Sequence, residues 1–128
     1  MNDDTKQSAA EVPQPWTVPP ALAELWDAGQ SDVVIELIDL FLTDTADRLA
    51  RLREAFGRAD LDQLRRMAHS IKGSCSQMGE DQMALMGKQL EEKAKADSFA
   101  ECEEILVRLA DQFELSSRAI RAFLEKHA

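Results

Sequence analysis

Ala68-His69-Ser70-Ile71-Lys72-Gly73-Ser74-Cys75-Ser76-Gln77-Met78-Gly79 is the stretch on which the reading of this chain turns. On a helical wheel at 3.6 residues per turn, with His69 at the origin, its surroundings divide into two faces. Asp62, Arg65, Arg66, Lys72, Gly73 and Ser76 share the face of the histidine, while Leu64, Met67, Ile71, Cys75 and Met78 occupy the opposite half. The segment therefore reads as an amphipathic helix whose apolar side meets a core and whose polar side carries His69 to water. A histidine packed in the core would fall in the second group.

Gly73 is the oddity of this helix, because glycine in a helix interior costs about 1 kcal/mol relative to alanine. It is open to reading as a C-cap. The apolar spacing, however, continues through Cys75 and Met78 and stops at Gly79, a better terminator. A glycine four residues after an exposed histidine leaves the ring uncrowded for an incoming molecule. Lys72, Arg65 and Arg66 place cations within a turn or so of the ring on a chain of formal net charge −9. An anion beside His69 is therefore favoured.

Working outward, 128 residues suit one domain with a single core. Abundant charge, sparse glycine and no tyrosine fit an all-helical protein. The acidic balance argues against nucleic acid, where affinity rests on Lys and Arg at phosphates. No apolar run approaches the ~20 residues of a membrane span. Met1-Asn2-Asp3-Asp4 is acidic and shows no apolar region of a secretory signal, and the cytoplasmic reading rests on the two thiols that follow. Cys75 and Cys102 fall on apolar stripes without metal-ligand spacing and read as reduced core thiols, with a disulfide between them left open.

Residues 1–19 are polar and rich in proline, and are expected to be disordered or weakly docked; residues 20–128 form the domain. Pro20 suits the first turn of a short helix, Ala21 to Ala28. Ser31 or Asp32 caps a long helix to about Gly57, with Val34, Ile38, Phe41, Thr45, Leu49, Leu52 and Phe56 as its core stripe. Val33, Leu37 and Leu40 form a flank beside that stripe. Coverage by the short first helix is the expected arrangement, and an open docking patch is the alternative. Asp60 caps the His69 helix, Leu61 to about Met78. A further helix runs from about Asp81 to Ala96 with Met83, Met86, Leu90 and Ala94 inward. Those methionines read as core rather than a soft-metal face. The last helix, capped by Asp97 or Ser98, carries Phe99, Cys102, Leu106, Leu109, Phe113, Ser116, Ile120 and Phe123 at heptad-like spacing. Short connections predict an antiparallel up-down-up-down four-helix bundle with a short extra N-terminal helix. In a hairpin pivoting near Glu80, residues whose numbers sum to about 160 lie level, which sets Glu91 beside His69. Its carboxylate is placed either to accept from imidazole Nδ1–H or to pair in water with Lys88 or Lys95.

The central motif resembles the phosphorylation motif of histidine-containing phosphotransfer (HPt) domains of multistep phosphorelays. That pattern runs Ala-His-x-Leu-Lys-Gly-Ser-Ser with a glycine five residues on. This chain matches at Ala68, His69, Lys72, Gly73, Ser74 and Gly79, with Ile71 for Leu; Cys75 and Glu80 depart from it. The run from Leu40 to Thr45 with Leu49 and Leu52 resembles the helix that precedes the motif, and Leu90-Glu91 fits the family's Leu followed by Glu or Gln. The resemblance implies that His69 accepts a phosphoryl group from the phospho-aspartate of a response-regulator receiver domain and passes it to another receiver aspartate. It also implies that Lys72 steadies phosphoryl charge, Gly73 gives access and Glu91 orients the ring. Arg65, Arg66, Ser76, Leu37 and Phe41 are the residues expected to dock a partner.

The chain carries no nucleotide-binding loop and no receiver-type cluster of acidic residues, so the phosphoryl donor must be another protein. The resemblance implies that the partners are receiver domains and a hybrid sensor histidine kinase, with magnesium supplied by the receiver and no cofactor or metal expected in this chain. The protein is expected to be a monomeric carrier with a phosphohistidine intermediate rather than an enzyme. A helical adaptor that binds and blocks a receiver or kinase without being phosphorylated is the alternative. A His69–Glu91 general-base dyad is weaker, since a bundle face offers no evident substrate pocket. His127, at the chain end, reads as solvated.

Overall fold

The computed structural model describes residues 15–127. Five helices follow one another: α1 (Pro20–Asp27), α2 (Ser31–Gly57), α3 (Leu61–Gln77), α4 (Asp81–Lys95) and α5 (Phe99–His127). Helix α2 packs on α3, α3 on α4, α4 on α5, and α5 closes back on α2, while α1 lies on α2. Short reversing connections between these neighbours make the antiparallel four-helix bundle, with α1 as the extra short helix.

All four connections reverse the chain in the same way. Gly29, Ala59, Gly79 and Asp97 take positive φ of 82°, 55°, 71° and 56°. After each, the next amide bonds back across the end of the helix, as Glu80 N does to Cys75 O at 2.8 Å. This is the Schellman arrangement, which satisfies the last carbonyls while turning the chain. Gly79 thus ends α3 as its spacing predicts. At the end of α2 the left-handed residue is Ala59, two residues beyond Gly57. Asp60 caps α3 by accepting from Gln63 N at 3.1 Å. Helix α2 instead begins after Gln30 with no side-chain cap bond, and Ser31 is already helical.

The core is built from Ile38, Leu52, Leu64, Ile71, Met83, Leu90, Leu109 and Ile120, all fully buried. Ala55 and Ile105 join it, whereas Phe56 stacks at 4.2 Å on a partly exposed Phe99 at its edge. Cys75 and Cys102 are buried and free. The flank of α2 is not covered as expected: Val33, Leu37 and Leu40 remain 39%, 38% and 55% exposed. Eight residues of α1 extend only about 12 Å and roof one side of a much longer helix. Leu42, by contrast, is buried.

Of the N-terminal tail, residues 1–14 lie outside the described residues, and 15–19 form a packed strap. Trp16 meets Phe123 edge to face at 5.0 Å and donates from Nε1 to Glu80 Oε2 at 3.2 Å. Pro19 is buried close to Gly79, at the α3–α4 turn. The strap therefore joins the start of α1 to the end of α5 and to the turn that follows the motif helix. Among the described residues no helix is long and apolar enough to cross a membrane.

Candidate phosphohistidine site

Helix α3 buries Leu64, Ala68, Ile71 and Cys75 and turns His69 outward, leaving its side chain 65% exposed. Glu91 projects from α4 on the level of His69, with only 8% of its surface exposed. One of its carboxylate oxygens, Oε2, lies 3.0 Å from His69 Nδ1, and the other, Oε1, accepts from Lys72 Nζ at 3.0 Å. The Lys72 bond holds the Glu91 carboxyl below the usual carboxylate range; burial opposes that shift and the His69 bond reinforces it. An ionised carboxylate only accepts hydrogen bonds. His69 Nδ1 must therefore carry a proton, which in the neutral ring leaves Nε2 as the nitrogen without one.

The structure thus brings together His69, Lys72 and Glu91, and the pairing of Glu91 with Lys88 or Lys95 does not form. Gly73 is exposed, and a Cβ built on it would meet nothing within 4 Å, so the space beside the ring is open. Cys75, at the departure from the HPt pattern, faces the core and not the site; burial, above all, pushes its thiol up to about 12.

The docking residues are more dispersed. Arg65 and Arg66 both bond Asp62, at 3.0 and 3.1 Å, and they pull its carboxyl below the ordinary range, Arg65 first. One carboxylate thus offsets about half of the arginine charge near His69, a consequence of the i,i+3 and i,i+4 spacing from Asp62. Ser76 is exposed on the face of His69. Leu37 is partly exposed, but Phe41 is 7% exposed and belongs to the core. Phe41 therefore contributes only an edge to an open groove of about 330 Å³ between α1, α2 and α3, lined also by Leu22, Leu37, Leu40, Gln77 and Met78.

A family model for the Hpt domain matches residues 36–122. The chain belongs to the Hpt domain family. Histidine-containing phosphotransfer protein 2 of Arabidopsis thaliana is 27% identical over 107 residues, covering 81% of this chain and 66% of that protein. The crystal structure of histidine-containing phosphotransfer protein B from Pseudomonas aeruginosa PAO1 aligns with a TM-score of 0.72 and 29% identity. That alignment covers 84% of this chain and 89% of the other.

Two features of this Hpt domain escaped the sequence reading. Arg48 of α2 donates from Nη1 to Ser74 Oγ at 3.2 Å, tying α2 to the motif helix, and no periodicity marks such a polar tie. Gly87 sits buried where α4 meets α3, in the middle of a helix that offers no other glycine. Its helix-interior position, as unusual as that of Gly73, was the available signal. His127 is exposed, yet its ring packs on Phe123 at 4.4 Å and meets Trp26 edge to face at 5.4 Å.

Proposed function

We propose that this Hpt domain is a phosphoryl carrier of a multistep phosphorelay, with His69 as the site of the covalent intermediate. The observation that supports this most is the three-residue arrangement in which Glu91 bonds both His69 Nδ1 and Lys72. With Nδ1–H bound, Nε2 attacks the phosphorus of a receiver phospho-aspartate in line. The Nε2–P bond forms as the acyl-phosphate P–O bond breaks, and the receiver aspartate leaves as a carboxylate. The ring gains positive charge as the new bond forms, and the Glu91 carboxylate lies against the nitrogen that shares it. Lys72 offers its ammonium to the phosphoryl oxygens, and transfer needs such positioning and charge neutralisation more than covalent help. Attack on Nε2–P by a second receiver aspartate reverses the same bond changes.

In this reading the donor and acceptor are receiver domains, one belonging to a hybrid sensor histidine kinase. Magnesium is bound by the receiver, and this chain is a cytoplasmic monomer with neither cofactor nor turnover of its own. Gly73 admits the receiver's loops, while Ser76, Arg65, Arg66 and Leu37 meet its surface. The test incubates the chain with a phosphorylated receiver and follows label that is acid-labile and stable to base. Label is expected on the unsubstituted chain and absent in His69→Gln; label retained in His69→Gln refutes the assignment.

The exposed flank of Val33, Leu37 and Leu40 favours one second reading, a helical adaptor that binds a receiver or kinase without being phosphorylated. It requires binding without transfer, and binding that survives His69→Gln.

A further inference from the structure

Helix α4 lies against α3 at Gly87. A Cβ at this position would stand 3.1 Å from Lys72 N, 3.2 Å from Ala68 O and 3.3 Å from Lys72 Cα. All three are backbone atoms of α3, so no side-chain rotation relieves the crowding and the helices must part. Ala68 and Lys72 bracket the turn of α3 that bears His69. Glu91 lies four residues beyond Gly87, one turn further on the same face of α4. The separation of the helices at Gly87 therefore decides whether a glutamate side chain reaches the imidazole. Alanine is the better helix former, so local propensity alone gives no reason for glycine here. A Cβ on Gly57 or Gly73 would meet nothing within 4 Å, which sets Gly87 apart from the other two glycines that lie within helices.

We infer that Gly87 is a positioning residue for His69, its missing side chain setting the interhelix spacing at which Glu91 Oε2 reaches Nδ1 and holds Nε2 free. The contact stands at 3.0 Å, and a shift of a few tenths of an ångström moves it toward the limit of a useful hydrogen bond. Lys72 follows a displaced carboxylate through its flexible stem, but His69 has only two torsions. Released from Glu91, a neutral imidazole side chain favours the proton on Nε2, the nitrogen needed for attack. The kinetic part of this inference rests on the carrier reading, and the tautomer part does not.

The experiment compares the full chain with Gly87→Ala, Gly57→Ala, Glu91→Ala and the Gly87→Ala/Glu91→Ala double variant. Long-range ¹H–¹⁵N NMR reads the His69 tautomer, and circular dichroism reads the fold. Phosphoramidate, which gives up its phosphoryl group to Nε2 as ammonia leaves, reads nucleophilicity without a protein partner. Gly87→Ala is expected to keep its helices, move His69 toward Nε2–H and slow phosphorylation about tenfold, the factor carried by one net hydrogen bond. Gly57→Ala changes neither readout, and the double variant is no slower than Glu91→Ala. An unchanged His69 tautomer in Gly87→Ala overturns the proposal. So does a double variant slowed further by the full factor of the single one, because the methyl then acts independently of Glu91. A Gly87→Ala chain that stays unfolded even in trimethylamine N-oxide, which favours compact states, marks the glycine as merely structural and also overturns it. Failure of phosphoramidate to label the unsubstituted chain counts against the carrier reading, while the NMR readout still decides the role of Gly87.

Discussion

Replacing Glu91 tests the centre of the site, because alanine and glutamine there have different consequences. Alanine removes two charge-assisted hydrogen bonds at once. Such bonds contribute about 1.5–3 kcal/mol each when shielded from water. Here the His69 side chain is 65% exposed and that of Lys72 35%, which reduces each to roughly 1 kcal/mol or less. A total of ~1–2 kcal/mol lowers the Tm of a domain of this size by about 4–7 °C. Phosphorylation by phosphoramidate should fall about tenfold as the ring loses its oriented proton.

Glutamine keeps the shape but offers a single acceptor and two donors. Both His69 Nδ1–H and the Lys72 ammonium need an acceptor, so the amide oxygen serves only one of them. Turned to His69 it preserves the tautomer and releases Lys72 to water, and the loss of rate should be clearly smaller than with alanine. The pH dependence has a definite sign. The Lys72 bond, the largest cause, holds the Glu91 carboxyl below its ordinary value in the folded chain. Its contribution to stability is therefore complete above the unfolded carboxyl value near ~4.3 and is lost as pH falls through the folded one. Urea denaturation of the native chain and Glu91→Ala between neutrality and acid should give a gap that closes in acid. Equal stability and rate at neutral pH, or a gap undiminished once the carboxyl is protonated, refutes this account.

Gly73→Ala should leave the fold intact and stabilise α3 by about 1 kcal/mol, since its Cβ meets nothing within 4 Å. Transfer from a phosphorylated receiver should slow while phosphorylation by phosphoramidate is unchanged; equal effects on both donors would remove the access role. The Cys75 thiol, pushed by burial to about 12, should resist iodoacetamide at pH 8 in the native chain and react once urea exposes it.

Much of the fold was legible because helix periodicity and turn chemistry agree along the chain. Asp60, Gly79 and the apolar stripe through Leu64, Ile71 and Cys75 each mark the same helix independently. The register of the α3–α4 hairpin follows from that helix and its turn, and it sets Glu91 beside His69. What periodicity leaves undetermined is contact between segments distant in sequence. Leu37 and Leu40 lie on a continuous apolar surface of α2, and only the reach of α1 decides that they stay exposed. Trp16 looked like part of a polar tail because its partners, Glu80 and Phe123, lie more than sixty residues away. The sharing of Asp62 by Arg65 and Arg66, which offsets part of their charge, is a local matter that the spacing already contained.

The strap has a spectroscopic consequence. The chain contains two tryptophans and no tyrosine, and Trp16 and Trp26 both pack on Phe123. Intrinsic emission therefore arises from one end of the bundle, where Trp16 touches Glu80 in the α3–α4 turn, beyond the end of α3 and about 15 Å from His69 along the helix axis. Fluorescence of the unaltered protein therefore reports on the seating of the strap and of α1, whose Trp26 also meets the His127 ring. A denaturation curve followed by tryptophan emission that precedes the one followed by helical ellipticity would identify release of the strap as a separate opening of the molecule.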